Sequence, residues 1–284
     1  MITSYIKTII QQEKQQGSTS LYLRTIAKEY LQVLVLNFLY SNKQYKSNLI
    51  FTGGTCLRHL FDLPRLSEDL DFDLLESIDV EQLANELERY FVSFLQYPKI
   101  KVSIKQKGKQ ILLKFPIMKK LGLATKSESD WLYVKIDLSP IIGKSWRVVK
   151  TAKSSFGYNF VVTHYDLPSL FTGKISAVLT RNLLTGKEDR KTIKGRDFFD
   201  LLWYLKKGVN LNLPLLRERL NQPNLTLEQL RKKLNRKVEL TNNQFRTDFK
   251  NDLLPFIRGE EFISDYVENY FEEYQRQVIE AEEE

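Results

Sequence analysis

The chain has 284 residues, of which 42% are apolar and 27% charged, a globular composition long enough for one large domain or two modest ones. Its single cysteine, Cys56, excludes an internal disulfide and a cysteine-based zinc site. No stretch reaches the roughly 18 uncharged apolar residues of a spanning helix, and the first residues lack the pattern of a secretory leader, so a cytoplasmic protein without a membrane partner is expected.

The net charge of +8 conceals a stronger asymmetry. Residues 259–284 carry ten acidic side chains and one basic one, Arg276, which leaves 42 basic and 25 acidic residues before them, a balance of +17. A body this basic attracts polyanions, nucleic acid first among them, through phosphate contacts that release counterions. The acidic end reads as a solvated helix.

In chain order, residues 19–40 predict a largely buried helix. Residues 47–52 predict a short strand that runs into Gly53-Gly54, and residues 55–61 a helix stopped by Asp62-Leu-Pro64. Residues 69–74 alternate as a strand should. A helix is expected over 80–97, a hairpin over 100–107 and 110–115, and another alternating strand over 131–139, closed by Pro140. From Leu167 the pattern is helical, over 169–184, 196–206, 213–220, 226–235, 241–254 and 260–282. The expected organisation is a mixed α/β (α+β) domain over 1–165, a small mixed sheet flanked by helices, and a helical C-terminal domain over 166–284.

Three groups of residues carry chemistry. Gly53-Gly54 stands between a strand and a helix, where glycine lets backbone approach a phosphate and the helix N-terminus offers free N–H groups; alone, the pair reads first as a tight turn. Asp69 and Asp71 share one strand face about 6–7 Å apart. Carboxylates so close repel unless a cation lies between them, and an all-oxygen set suits Mg²⁺, with Mn²⁺ as the alternative. Asp73 shares the face but lies further along, outside the metal set. On the later strand, Lys135, Asp137 and Ser139 face one way and Val134, Ile136 and Leu138 the other. Asp137 is therefore a candidate third carboxylate for a metal that activates an attacking hydroxyl. His59 and His164 are isolated and read as structural, and Cys56 reads as a packed thiol. The aromatics at 203–204 and 266–274 read as helix packing.

Gly-Gly, then Asp-x-Asp, then a lone carboxylate on a later strand resembles the polymerase β-type nucleotidyltransferase superfamily. More narrowly, Gly53-Gly54-Thr55-x-Leu57 followed by Arg65-Leu-Ser-Glu-Asp-Leu-Asp-Phe72 resembles the AbiE-type toxin nucleotidyltransferases (AbiEii, MenT-like). That family also carries a helical Lys and a later Arg-Asp pair, matched here by Lys174 and by Arg196-Asp197. On its helix, Lys174 shares a face with Ala177 and Arg181, away from Ile175, Val178 and Leu179. The resemblance implies catalytic roles for Asp69, Asp71, Asp137, Lys174 and Asp197, with the C-terminal domain completing the active site. Gly53, Gly54, Thr55, Ser67, Lys174, Arg181 and Arg196 would bind nucleotide. It further implies NMP transfer from an NTP with release of pyrophosphate, an RNA acceptor at the 3′ end of tRNA, and a toxin of a toxin–antitoxin or phage-defence (antiviral) pair held by an antitoxin protein. The loop over 186–196 carries five basic residues and is either an RNA contact or an ordinary surface loop. Transfer to a protein or small molecule, phosphotransfer in the same pocket, and a non-catalytic nucleic-acid-binding module stay open as alternatives.

Overall fold

The computed structural model describes residues 2–181, 183–185 and 190–283. They fall into two compact units, one of Met1–Ile141 with Val148–His164 and the other of Ile142–Arg147 with Tyr165–Glu284. Among the described residues no helix is long and apolar enough to cross a membrane.

The first unit runs α1 (Ile2–Gln15), α2 (Ser20–Ser41), α3 (Lys43–Lys46), β1 (Leu49–Thr52), α4 (Gly53–Phe61), β2 (Asp69–Leu74) and α5 (Val80–Arg89), which continues into a π-helical turn over Tyr90–Phe94. There follow β3 (Lys101–Lys105), β4 (Gln110–Pro116), β5 (Trp131–Pro140), β6 (Val148–Ser155) and β7 (Tyr158–Tyr165). The strands form one mixed sheet in the order β3-β4-β5-β2-β1-β7-β6. β2 lies between β1, its antiparallel partner, and β5, its parallel one. The site's strand is thus central, paired on both edges.

The alternation of side chains decides the two faces. Leu70 and Phe72 of β2, Leu132, Val134, Ile136 and Leu138 of β5, and Ile111, Leu113 and Phe115 of β4 are buried. Each such side chain removed from water contributes about 1.5–3 kcal/mol. α2 covers this face: it packs on β5, its Tyr40 ring meets Phe72, and the Tyr40 hydroxyl donates to the Leu49 and Thr163 carbonyls at 3.2 and 3.0 Å. α2 begins at the cap Thr19, whose side chain accepts from the Tyr22 amide, and it is apolar almost all round because it is a core helix. The alternate residues of β2 and β5, including Asp69, Asp71, Lys135 and Asp137, occupy the opposite face.

The second unit contains α6 (Leu167–Thr180), the short strands β8 (Leu183–Thr185) and β9 (Arg190–Thr192), α7 (Gly195–Lys206), α8 (Leu213–Leu220), α9 (Leu227–Gln244), α10 (Arg246–Leu253) and α11 (Glu260–Glu283). The segment 142–147 joins it through Glu218, whose carboxylate accepts from the Lys144 and Ser145 amides at 2.6 and 3.1 Å and from the Ser145 hydroxyl at 2.6 Å. Aromatic rings form much of its interior. Phe171 stacks on Tyr204, and Phe249 meets Phe198, Tyr266 and Tyr270. The Tyr270 and Tyr274 hydroxyls donate to the Phe198 carbonyl and the Asn235 side chain, which agrees with the packing role read from the sequence.

Three boundaries differ from expectation. α4 begins at Gly53 itself, two residues early, because Gly53 takes the positive φ of 76° at the strand-to-helix turn. α9 runs unbroken through 236–240, where two helices were expected, since Leu230, Leu234, Val238 and Thr241 continue a single buried stripe. α6 stops at Thr180 rather than 184, and Arg181 turns extended. The hairpin β6–β7 was not expected at all: β6 buries little on either face, so its alternation is weak.

Candidate active site

Four strands build one row of polar side chains. The register pairs Thr52 with Asp71, Asp71 with Asp137, and Asp137 with Gln110. Asp71 and Asp137 are therefore direct neighbours on adjacent strands, whose backbones lie about 4.8 Å apart. Two residues earlier on β2, Asp69 pairs with Lys135. The Lys135 ammonium lies 3.5 Å from Asp69 Oδ1 in a part-exposed pair.

The Gly-Gly turn fits against this row. A Cβ on Gly53 would lie 2.2 Å from Asp71 Oδ2, so the carboxylate rests against the first residue of α4, where amide groups and the helix dipole favour negative charge. A Cβ on Gly54 would lie 2.7 Å from Arg65 Nη2 and 3.1 Å from Ser67 Oγ. Arg65 and Ser67 are both buried, and Arg65 Nη1 donates to the Leu66 carbonyl at 2.8 Å. Thr55 is fully buried and its hydroxyl donates to the Asp69 carbonyl. That hydroxyl fixes β2 against α4.

Gly53→Ala is accordingly expected to act on Asp71. The left-handed φ costs about 1–2 kcal/mol for alanine, and the new methyl must push the carboxylate aside. Transfer activity should fall by about tenfold to a hundredfold, with a lowered melting temperature; activity within about twofold of wild type would show that Asp71 does not need this seat.

Each carboxylate is turned to its own neighbour. Asp69 faces Lys135, Asp71 faces Gly53, and Asp137 Oδ1 accepts from Gln110 Nε2 at 2.7 Å. Among the described residues no group of three or more His, Cys, Asp or Glu converges enough to hold a metal ion. The donor set itself is all oxygen, on adjacent strands, with an ammonium already drawn to Asp69. Those features fit a hard divalent cation.

Nearby groups are structural. Burial, then the Asp71 charge, pushes the Cys56 thiol well above its usual range. Burial, then Lys153 and Arg58, lowers His59 to about 3, so it is neutral. His164 is buried with Nε2 2.8 Å from the Thr151 hydroxyl.

The helical unit holds a separate ion network. Lys174 Nζ lies 2.8 Å from Asp197 Oδ1 and 2.7 Å from Asp200 Oδ2. Asp197 also pairs with Arg181. Asp197 and Asp200 are 3% and 0% exposed. Burial by itself pushes the Asp197 carboxyl up, but the Lys174, Arg181 and Lys194 charges outweigh it and hold it well below the usual carboxylate range. Arg196 stands apart from this network: its backbone N–H and Nε donate to Asp252 Oδ2 at 2.9 and 3.3 Å, and its guanidinium lies 4.0 Å over the Phe256 ring. Gly195 is required here, because a Cβ would meet the Phe249 carbonyl at 2.7 Å. Of the basic loop over 186–196, residues 186–189 lie outside the described residues.

The whole of this arrangement falls within one family match. The model of the nucleotidyl transferase AbiEii toxins of type IV toxin–antitoxin systems matches residues 37–274. The chain belongs to the AbiEii toxin family. This AbiEii protein is therefore a nucleotidyltransferase with an NTP substrate and an antitoxin partner. Among solved structures it is similar to MenT4, a nucleotidyltransferase toxin from Mycobacterium tuberculosis H37Rv, with 14% identity over 96% of this chain and 92% of that one at a TM-score of 0.57. That likeness supports the fold. A candidate nucleotidyltransferase from H. pylori aligns with 17% identity over 91% of this chain and 96% of that one, at a TM-score of 0.49 too low to add to it. No curated protein sequence matches the chain.

Four residues of these two groups, the carboxylate row and the ion network of the helical unit, were not singled out from the sequence. Gln110 orients Asp137, Lys135 balances Asp69, and Asp200 shares Lys174. Gln32, buried in α2, donates to the Ser67 and Glu68 carbonyls at 2.9 and 2.8 Å and so holds the approach to β2. Lys135 was legible as the strand neighbour of Asp137; the others are brought in by strand pairing and helix packing.

Proposed function

We propose that this AbiEii protein transfers a nucleoside monophosphate from an NTP to the 3′-terminal hydroxyl of tRNA in the cytoplasm, as the toxin of a phage-defence pair. The observation that carries the reading is the register of Asp71 beside Asp137 on the polar sheet face, with Gly53 against Asp71. Asp69, Asp71 and Asp137 would hold Mg²⁺, which supplies positive charge against the triphosphate and lowers the pKa of a bound hydroxyl. The acceptor oxygen attacks the α-phosphorus, the bond from that phosphorus to the β-phosphate bridging oxygen breaks, and pyrophosphate leaves. Asp137, the neighbour of Asp71 in the row, would favour loss of the hydroxyl proton. Ser67 and the Gly53-Gly54 backbone offer donors to phosphate oxygens. For Lys174, Arg181, Arg196 and Asp197 the family resemblance supplies the nucleotide and catalytic roles. The balance of +17 over residues 1–258 favours a polyanionic acceptor.

The test is incubation with Mg²⁺, total tRNA and each α-³²P-labelled NTP in turn, beside the Asp69→Ala/Asp71→Ala variant. Label is expected in tRNA with the wild type alone. Label on protein in place of tRNA, or none on any acceptor while tRNA still binds, would overturn the tRNA assignment.

A further inference from the structure

The helical unit contains a cavity of about 370 Å³ among α6, β9, the start of α7 and α9. Four cations reach it, Arg181, Lys191, Lys194 and Lys237, against one carboxylate, Asp197. That carboxylate is already shared by Lys174 and Arg181. Among the described residues neither Lys191 nor Lys237 forms a salt bridge, and the Asp197 charge acts on Lys194 as well as on Lys174 and Arg181. The remaining wall is apolar: Val178, Leu240 and Phe245 line it, and Leu240 is 40% exposed there. A volume of this order, an apolar wall and a few converging charges are the attributes of a small-molecule site.

We propose that this cavity binds a phosphorylated nucleotide unit, with the phosphate on Lys191, Lys194 and Lys237 and the base on the Leu240–Phe245 wall. The charge excess supplies the reason for an anion, since four cations around one carboxylate that Lys174 also shares repel one another until one enters. The wall supplies the reason for a base, because a nucleobase stacks on an aromatic ring such as Phe245 and covers apolar surface that water now meets. Burial, then the charges of Arg196 and Arg181, lowers the Lys194 ammonium below its usual range, and a bound phosphate reverses that effect. The unit is either a free mononucleotide or one residue of an RNA strand, chemistries that share the phosphate and the base. The proposal rests on the transferase reading only for the choice of nucleotides as ligands.

The test is binding to the full chain carrying Asp69→Ala/Asp71→Ala, so that catalysis and the carboxylate row are removed from the measurement. Fluorescence anisotropy with a short fluorescein-labelled single-stranded oligoribonucleotide, and calorimetry with adenosine and cytidine 5′-monophosphates, are compared with the same chain carrying Lys194→Gln and Lys237→Gln. Binding of at least one probe is expected to weaken by at least tenfold, and for the strand the slope of log affinity against log salt should fall by about two. Phe245→Ala, which leaves the charges in place, should weaken binding with the salt slope unchanged. Loss confined to the oligoribonucleotide assigns the cavity to a strand, and loss of the mononucleotide assigns it to a free nucleotide. Affinities unchanged for both probes in a folded double variant would overturn the proposal. The transfer assay is separate: wild type that labels no acceptor while these binding differences persist would sink the transferase reading and leave the cavity assignment standing.

Discussion

Replacing Asp69 and Asp71 together by alanine is expected to lower nucleotide transfer by about 10³-fold or more, on the order of 4 kcal/mol of transition-state stabilisation. On the proposed reading both act where charge gathers on a triphosphate, so the loss should fall on kcat as well as on binding. Asp71→Asn should be the most damaging single change. It alone is both seated against the Gly53 turn and paired in register with Asp137. Asp137→Asn keeps the Gln110 contact sterically but removes the proposed proton acceptor, and transfer should fall by at least about tenfold. The fold should survive these changes. Asp69 gives up only a part-exposed pair with Lys135, worth about 0–1 kcal/mol, and removing like charges from one face offsets it. The measurements are label transfer over a pH series and thermal melting of each variant. A double variant that keeps more than about a tenth of wild-type activity would rule out the carboxylate row as the catalytic centre.

The second large effect is on stability. Lys174→Met removes a cation held within 2.8 Å of two buried carboxylates, Asp197 and Asp200. Breaking such a pair from one side costs about 3–5 kcal/mol, because the charges that remain are left in a poor solvent. For the helical unit this corresponds to a melting temperature lower by roughly 8–15 °C. The sign with pH follows from Asp197. Its folded pKa is depressed, so its contribution is in place above the unfolded value of about 3.9 and is lost as the pH falls through the folded one. In the variant the carboxyl groups protonate more readily. The gap in melting temperature between wild type and Lys174→Met should therefore be widest near neutral pH and should narrow below about pH 4. A gap of under about 2 °C at neutral pH would show that the network contributes little. Activity of this variant is meaningful only well below its own melting temperature, where a remaining loss belongs to the role of Lys174 in the reaction.

Local signals in the sequence were enough for much of the site strand. Strict alternation over 69–74 and 131–139 assigned the faces of β2 and β5, since a strand's period of two leaves no freedom once one set of side chains is apolar. The Gly-Gly pair marked the turn into α4, and the helical pattern marked α2, α7 and α8. The family motifs lie within these same segments. Helix α1 was not expected, although Ile2, Ile6 and Ile10, all buried, share one face at helical spacing.

What the sequence by itself determined is therefore a mixed sheet whose central strands expose carboxylates on one face, followed by helices, in a body of strong positive charge. Only the tertiary structure decided which residues meet. Strand pairing set Asp71 beside Asp137 and Lys135 beside Asp69. The approach of β2 to α4 made Gly53 and Gly54 obligatory. Helix packing turned Lys174 inward between Asp197 and Asp200 and left Lys191, Lys194 and Lys237 around a common cavity. The physical reason is range. Periodicity and turn chemistry are properties of neighbours along the chain, whereas the energy of a charge depends on its solvent and on partners far away in sequence, as Asp71 and Asp137 are.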